Sequence, residues 1–338
     1  MRFKPSRPCS VLCLFKSPDN RAIQFFMTVV GRMNSHVAIL MGTFQGERFI
    51  SEQMESIFAQ THGDWELWVS DDGSTDRTLS IVEQFRNERG APIHVVAGPR
   101  KGFIRNFLAL ACNPAISADF YSFADQDDIW HADKLERALA WLQNQPSDVP
   151  ALYCSRTHIV DEGGGSVGES PLFARRPSFS NALVQSIGGG NTIVMNDAAR
   201  QVLMTAGPDV TVASHDWWAY IVVAGAGGHI RYDPLPPIDY RQHGSNLVGS
   251  NSGWRARIRR LRMLTKSQFR SWNTQNLTAL KSVEHLLTGE NRKTLEQFKR
   301  IRGEGFPKRL WTLYKSGLHR QTFLGNIGLV AAVVLRQV

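Results

Sequence analysis

Across residues 36–156 short apolar runs alternate with segments of helical spacing, and this alternation limits the fold more than any other feature. HVAILMG (36–42) is an almost unbroken apolar run, as a strand buried on both faces would be. GERFISEQMESIFAQ (46–60) places Phe49, Ile50, Met54, Ile57 and Phe58 on one helical face. DWELWVSDD (64–72) alternates Trp65, Leu67 and Val69 as a strand, and Thr75 and Asp76 then open a helix carrying Leu79, Val82 and Phe85. PIHVVAG (92–98), DFYSFAD (119–125) and ALYCSR (151–156) read as further strands. GFIRNFLALAC (102–112) and ADKLERALAWLQ (132–143) read as the helices between them. The order predicts a mostly parallel α/β sheet with helices on both faces. In such sheets ligands gather outside the carboxyl ends of the strands, and the carboxylate clusters of this segment fall at those ends.

Beyond residue 157 the periodicity loosens. DEGGGSVGES (161–170) and RRPSF (175–179) read as flexible surface loop. GGGNTIVMNDAARQVLMTAG (188–207) predicts a glycine-rich turn, a strand and a helix; SHDWWAYIVVAGAG (214–227) predicts a helix behind a Ser cap. Residues 230–249 have strand-and-turn chemistry, and the tail from WRARIRRLRMLTK (254–266) onward reads as helical and basic. No internal repeat or low-complexity tract is present. Three regions follow: an N-terminal extension (1–35), with Met27 or Met33 as alternative starts; an α/β domain (36–253); and a basic helical region (254–338).

The net charge of +9 is divided unevenly between these regions. Residues 254–338 hold 18 Lys+Arg and 4 Asp+Glu, or +14; the remaining 21 and 26 leave −5 on residues 1–253. A basic tail suits nucleic acid, an anionic membrane face or an anionic substrate. The longest apolar run, FLGNIGLVAAVVL (323–335), is too short to span a bilayer and contains Asn326, so it reads as a docking helix or a membrane-surface segment. The extension lacks the continuous apolar stretch of a secretory signal. Cys9, Cys13, Cys112 and Cys154 form no CxxC pair and are expected as free thiols.

Four constellations carry chemistry. In WVSDDGSTD (68–76) an aspartate at a strand end can accept from a base N–H or a ribose hydroxyl; the plainer reading is a turn with a helix cap. In FADQDD (123–128) the D-x-D spacing presents oxygen donors suited to Mg²⁺ or Mn²⁺ gripping a diphosphate; the plainer reading is a solvated acidic turn. SHDWW (214–218) sets Asp216 at a helix start between aromatics that raise its pKa and stack a sugar, or else Asp216 serves the helix dipole with core tryptophans behind it. DYRQHGSN (239–246) offers His243 as a metal ligand, though a lone histidine is more often an ordinary surface residue. Lys101 and Arg105 of KGFIRNF suit a phosphate or a solvated helical face.

In this order, VAILMGTFQGERFISEQMESIFAQT, WVSDDGSTDRT, KGFIRNF, FADQDDIWHADKLERAL, SHDWW and YRQHGSN resemble the inverting nucleotide-sugar glycosyltransferases of family 2, whose fold is GT-A. The likeness covers residues 36–250 and is strongest towards bacterial rhamnosyltransferase-like members that build O-antigen and capsule chains. It implies that Thr43 and Glu47 line the nucleoside pocket, that Asp72 binds the pyrimidine base and that Arg105 lies near the diphosphate. It implies Asp125 and Asp127 as the DxD element, Asp127 touching the Mg²⁺ or Mn²⁺, with His243 as a second metal ligand and Asp216 as general base. Asp128 is expected to serve the turn into the next helix. Two departures stand out. His215 replaces the usual Glu before the base, leaving its role open, and Gln45 replaces the usual Asn of the first motif, which weakens the expectation of a donor contact there.

The implied partners are a nucleoside-diphosphate sugar and a glycan or lipid-linked acceptor, with the basic tail at an anionic membrane surface and no nucleic acid. The implied location is the cytoplasm, peripheral to the cytoplasmic face of the inner membrane. Two other classes were weighed. A nucleotidyltransferase needs an arginine–lysine signature after the first strand that MGTFQGERF lacks, and a non-catalytic binding module needs no Asp216 so placed.

Overall fold

The computed structural model describes residues 35–243 and 268–338. The expected extension up to residue 34, with Cys9 and Cys13, and the basic stretch WRARIRRLRMLTK lie outside the described residues, as does the end of YRQHGSN.

A seven-stranded sheet organises the molecule. Strands β1 (Val37–Thr43), β2 (Trp65–Asp71), β3 (Ile93–Ala97) and β4 (Phe120–Ala124) alternate with helices α1 (Ile50–Phe58), α2 (Thr78–Arg89) and α3 (Phe103–Ala111). Their order is β3–β2–β1–β4, all parallel. After β4 come a two-residue strand β5 (Ile129–Trp130), helix α4 (Lys134–Leu142) and β6 (Ala151–Ser155). Strand β9 (Val194–Asn196) inserts antiparallel between β4 and β6, and β10 (His229–Asp233) closes the edge parallel to β6. The sheet is therefore mostly parallel, as the alternation predicts. β1 is buried along nearly its whole length because helices cover both faces.

The segment 161–170 departs from the expected flexible loop. β7 (His158–Val160) and β8 (Ser166–Glu169) form an antiparallel hairpin, and with β5 and β11 (Ile238–Arg241) they make a separate four-stranded sheet. The strands are too short, and β8 too exposed, to leave an alternating pattern in the sequence.

The remaining helices among the described residues are α5 (Phe179–Ala182), α6 (Asp197–Ala206), α7 (His215–Gly225), α8 (Gln268–Val283), α9 (Gly289–Gly303), α10 (Lys308–Ser316) and α11 (Phe323–Val334). α7 is buried almost throughout. Its apolar side chains share one core with Leu280, Val283, Leu295, Phe298, Ile301, Leu329 and Val333 from α8, α9 and α11. Asn291 donates from Nδ2 to the carbonyls of Ala224 and Gly225 at 2.9 and 3.0 Å, capping the carboxyl end of α7. Among the described residues no helix is long and apolar enough to cross a membrane.

Candidate active site

Because β1, β2 and β4 are parallel, the loops following Thr43, Asp71 and Ala124 emerge from one edge of the sheet. Hydrogen bonds between side chains and backbone stitch these loops together. Gln126 accepts from Phe44 N and donates to Phe44 O, both at 2.9 Å, tying the DxD loop to the loop after β1. Gln45 sits at φ 51°, a left-handed conformation that Asn adopts more readily than Gln. Its amide oxygen accepts from Thr75 N at 2.9 Å and its Nε2 donates to Thr75 Oγ1 at 3.0 Å. The departure from Asn thus serves loop architecture, because the longer side chain spans to the neighbouring loop.

The DDGSTD motif divides its work. Asp71 is buried and accepts from Thr43 Oγ1, Gly73 N, Ser74 N and Ser74 Oγ at 2.5–3.1 Å, building the turn. Thr43 is buried as its partner. Asp72 is half-buried and accepts from Arg100 N at 2.6 Å and Gly102 N at 2.8 Å, holding the loop between β3 and α3. Two amides leave its carboxylate further lone pairs for a base N–H. Glu47 receives Arg77 N at 3.0 Å. Arg105 donates to Pro208 O at 2.9 Å and lies 3.4 Å from Asp209, so it pins the loop that leads into α7. Thr43, Glu47, Asp72 and Arg105 therefore sit along one edge and bond to scaffold, and Asp72 N donates to Thr43 O at 2.8 Å.

The remaining predicted residues do converge. Asp127 Oδ2 lies 2.7 Å from His243 Nε2. The Asp125 carboxyl is pushed up to about 8, first by burial, then by the charges of Asp127 and Asp216, with Lys134 opposing. Asp216 is within electrostatic reach of Asp125. Asp216 occupies the first turn of α7, half-buried.

Two expectations need correction. Asp128 does not serve the turn. It is fully buried, Asn191 Nδ2 donates to it at 2.5 Å, and the amide of Arg241 lies 3.4 Å away. Burial first, then Asp125 and Asp127, hold its carboxyl well above the usual carboxylate range. Trp217 and Trp218 do not line a sugar site either. Both are buried in the core, and Trp217 Nε1 donates to Ala182 O at 2.6 Å. The aromatic surroundings of the first turn of α7 come from phenylalanines packed on His215. Phe107 stacks on its ring at 4.2 Å and Phe123 meets it edge-on at 5.1 Å.

Lys134, Asn191 and Arg241 escaped the sequence reading. Lys134 is buried, donates to Ser122 Oγ at 2.9 Å and lies 3.2 Å over the Trp130 ring. Burial drives its pKa well below the usual lysine value, against the pull of Asp128 and Asp125. Its spacing with Ala138 and Leu142 on the buried face of α4 was the available signal. Arg241 is buried, pairs with Glu52 and donates to Glu162 O at 2.8 Å.

Whether this edge suits a divalent ion can be asked of its donors. Among the described residues no group of three or more His, Cys, Asp or Glu side chains is arranged to hold one. Mg²⁺, however, is commonly held by one or two carboxylates with substrate phosphates completing the shell. Asp125 and Asp127 supply such oxygens, with His243 adjacent to the second. A cation there would also relieve the repulsion that raises Asp125.

The acidic loops gather at the carboxyl edge of the sheet, where α/β sheets bind their ligands. Residues 38–198 match the model of glycosyl transferase family 2, and the chain is a glycosyltransferase. It is similar to the dTDP-rhamnosyl transferase RfbG of Shigella flexneri, with 29% identity over 71% of this chain and 84% of that protein. It is also similar to the UDP-Glc:alpha-D-GlcNAc-diphosphoundecaprenol beta-1,3-glucosyltransferase WfgD of Escherichia coli, 36% identical over 31% of this chain and 40% of that one. Among solved structures, Staphylococcus aureus TarS 1-349 aligns with 16% identity and a TM-score of 0.49, covering 80% of this chain and 93% of that one.

Proposed function

We propose that the enzyme is a metal-dependent, inverting transferase that moves a sugar, rhamnose foremost, from a nucleoside diphosphate to a hydroxyl of a growing cell-surface glycan or lipid-linked saccharide. The observation that carries this reading is the 2.7 Å pairing of Asp127 of the D-x-D element with His243 at the carboxyl edge of the sheet, with Asp125 and Asp216 within electrostatic reach. Similarity to a dTDP-rhamnosyl transferase supports the deoxysugar, and similarity to an enzyme acting on a diphosphoundecaprenol supports the lipid-linked acceptor. The +14 on residues 254–338 (18 basic against 4 acidic) suits work against an anionic membrane at the cytoplasmic face.

Asp127 and His243, with the donor's phosphates completing the shell and Asp125 in support, would hold a Mg²⁺ or Mn²⁺, and the ion would neutralise charge on the departing diphosphate. Asp216 accepts the acceptor hydroxyl's proton as that oxygen attacks the anomeric carbon from the face opposite the diphosphate. The bond from that carbon to the diphosphate breaks, its electron pair leaves with the phosphate oxygen, and the configuration inverts. Thr43, Glu47, Asp72 and Arg105 act on the nucleotide side, directly or through the loops they hold.

Incubation with a panel of nucleotide sugars and Mg²⁺ or Mn²⁺, following nucleoside diphosphate release, tests the reading. Asp216→Asn is expected to keep donor affinity and lose roughly 10²–10⁴-fold in turnover, the range of a lost general base. Undiminished transfer by that variant removes Asp216 from the mechanism.

A further inference from the structure

Helix α11 carries no charged residue along FLGNIGLVAAVV. Leu329, Ala332 and Val333 face the core, while Phe323, Ile327, Val330 and Val334 are exposed at helical spacing, flanked by Leu324 and Leu335. Phe323 is 80% exposed. The preceding segment adds Phe306, Trp311 and Tyr314, the last also 80% exposed. Among the described residues, nine of the fourteen exposed large hydrophobic side chains thus lie within residues 306–335. Scattered single residues of this kind need no explanation, but a contiguous concentration does.

The charges along residues 305–338 are of one sign, and Glu304 just before them accepts from Thr312 Oγ1 of α10. Residues 305–338 hold Lys308, Arg309, Lys315, Arg320 and Arg336 and no Asp or Glu. Arg309 is spent internally. It is buried and donates to Val333 O at 2.7 Å, fastening the end of α11 to α10. Lys308, Lys315 and Arg336 are exposed, and Lys315 Nζ lies 4.9 Å over the Trp311 ring. An open cleft lined by Arg175, Arg176 and His319 lies just ahead of α11 in the chain, and both arginines are exposed.

We propose that the exposed face of α11, with Trp311 and Tyr314 of α10, inserts into the headgroup boundary of an anionic lipid leaflet, resting on the reading that the acceptor is lipid-linked. The 12-residue helix is about 18 Å long, short of the ~30 Å bilayer core, so it lies in the interface plane. Trp and Tyr favour that depth, and the cations meet lipid phosphates. A symmetric second copy fits poorly, since it would bring two patches of like charge together without a carboxylate between them.

The test is co-sedimentation of the full chain with phosphatidylglycerol–phosphatidylcholine vesicles and with pure phosphatidylcholine vesicles, at low and high salt. The expected result is preference for the anionic vesicles, with a fraction that resists high salt. Phe323→Asp with Ile327→Asp, both at exposed positions that leave the core intact, should weaken binding roughly tenfold or more and remove that fraction. Equal binding by this variant overturns the proposal. So does a wild-type dimer in lipid-free buffer that the variant turns into monomer, which would identify a second copy as the occupant. Vesicle binding without nucleoside diphosphate release from any sugar donor would leave the surface standing and sink the transferase reading. Release without vesicle binding would do the reverse.

Discussion

His215 shows how one residue can tie stability to pH beside the proposed base. Its imidazole is buried against Phe107 and Phe123, and neither ring nitrogen has a hydrogen-bond partner among the described residues. Burial lowers its pKa to about 4, Asp216 opposing. The unfolded chain, with its histidine near 6.5, binds the proton more readily, so stability is complete above about pH 6.5 and is lost as pH falls towards 4. At pH 5 the loss attributable to this group is about 2 kcal/mol. His215→Leu should flatten that part of the profile. Urea midpoints of both proteins at pH 7 and pH 5 measure it, and identical slopes would mean that His215 is not the titrating group. Its neutral form also keeps a second charge away from Asp216, which gives a physical role to the position where the family's usual Glu is absent.

At the scale of elements, the loops at the sheet edge depend on close backbone approach. A Cβ on Gly46 would lie 2.3 Å from Gln126 Oε1, the atom that accepts from Phe44 N. Gly46→Ala should therefore dislodge Gln126 and break both of its bonds to Phe44, at about 1 kcal/mol each. Because the displaced atom ends a flexible side chain, folding should survive while the DxD loop loosens. Calorimetric titration with nucleoside diphosphate and Mg²⁺ should show weaker binding, and unchanged affinity would dismiss the clasp as incidental. Strands β1 to β4 were legible in the sequence to within a residue or two, β1 and β4 as apolar runs buried on both faces and β2 as an alternation. As candidates, Asp216, Asp125 and Asp127 each stand at an element's end, as the pattern predicts. The place of Asp128 was not legible, since its partners Asn191 and Arg241 lie 63 and 113 positions away. Nor was Lys134, because its charge argues for solvent while only its row on α4 argues for burial. Nothing in FADQDD separates an aspartate facing a ligand from one locked behind it; tertiary partners decide that.

The whole molecule joins two opposed charge domains through one apolar core. The basic C-terminal helices could have been a detachable appendage, as their composition suggests. Instead Leu280, Val283, Leu295, Phe298, Ile301, Leu329 and Val333 pack in the same core as Trp217, Trp218 and Ile221 of α7, the helix that begins at Asp216. At about 1.5–3 kcal/mol for each buried large side chain, these seven contribute on the order of 10–20 kcal/mol. That matches or exceeds the net stability of about 5–15 kcal/mol typical of a folded domain. A chain ending before Gln268 would also leave the carbonyls of Ala224 and Gly225 without Asn291. Such a truncated chain should be aggregated or partly unfolded, with the first turn of α7 loosened and transfer lost. The full chain, correspondingly, should melt in a single calorimetric transition spanning both regions. A truncated chain that unfolds cooperatively and still binds nucleotide would show that α7 is held from the sheet side alone, and that the helices serve only the surface they present.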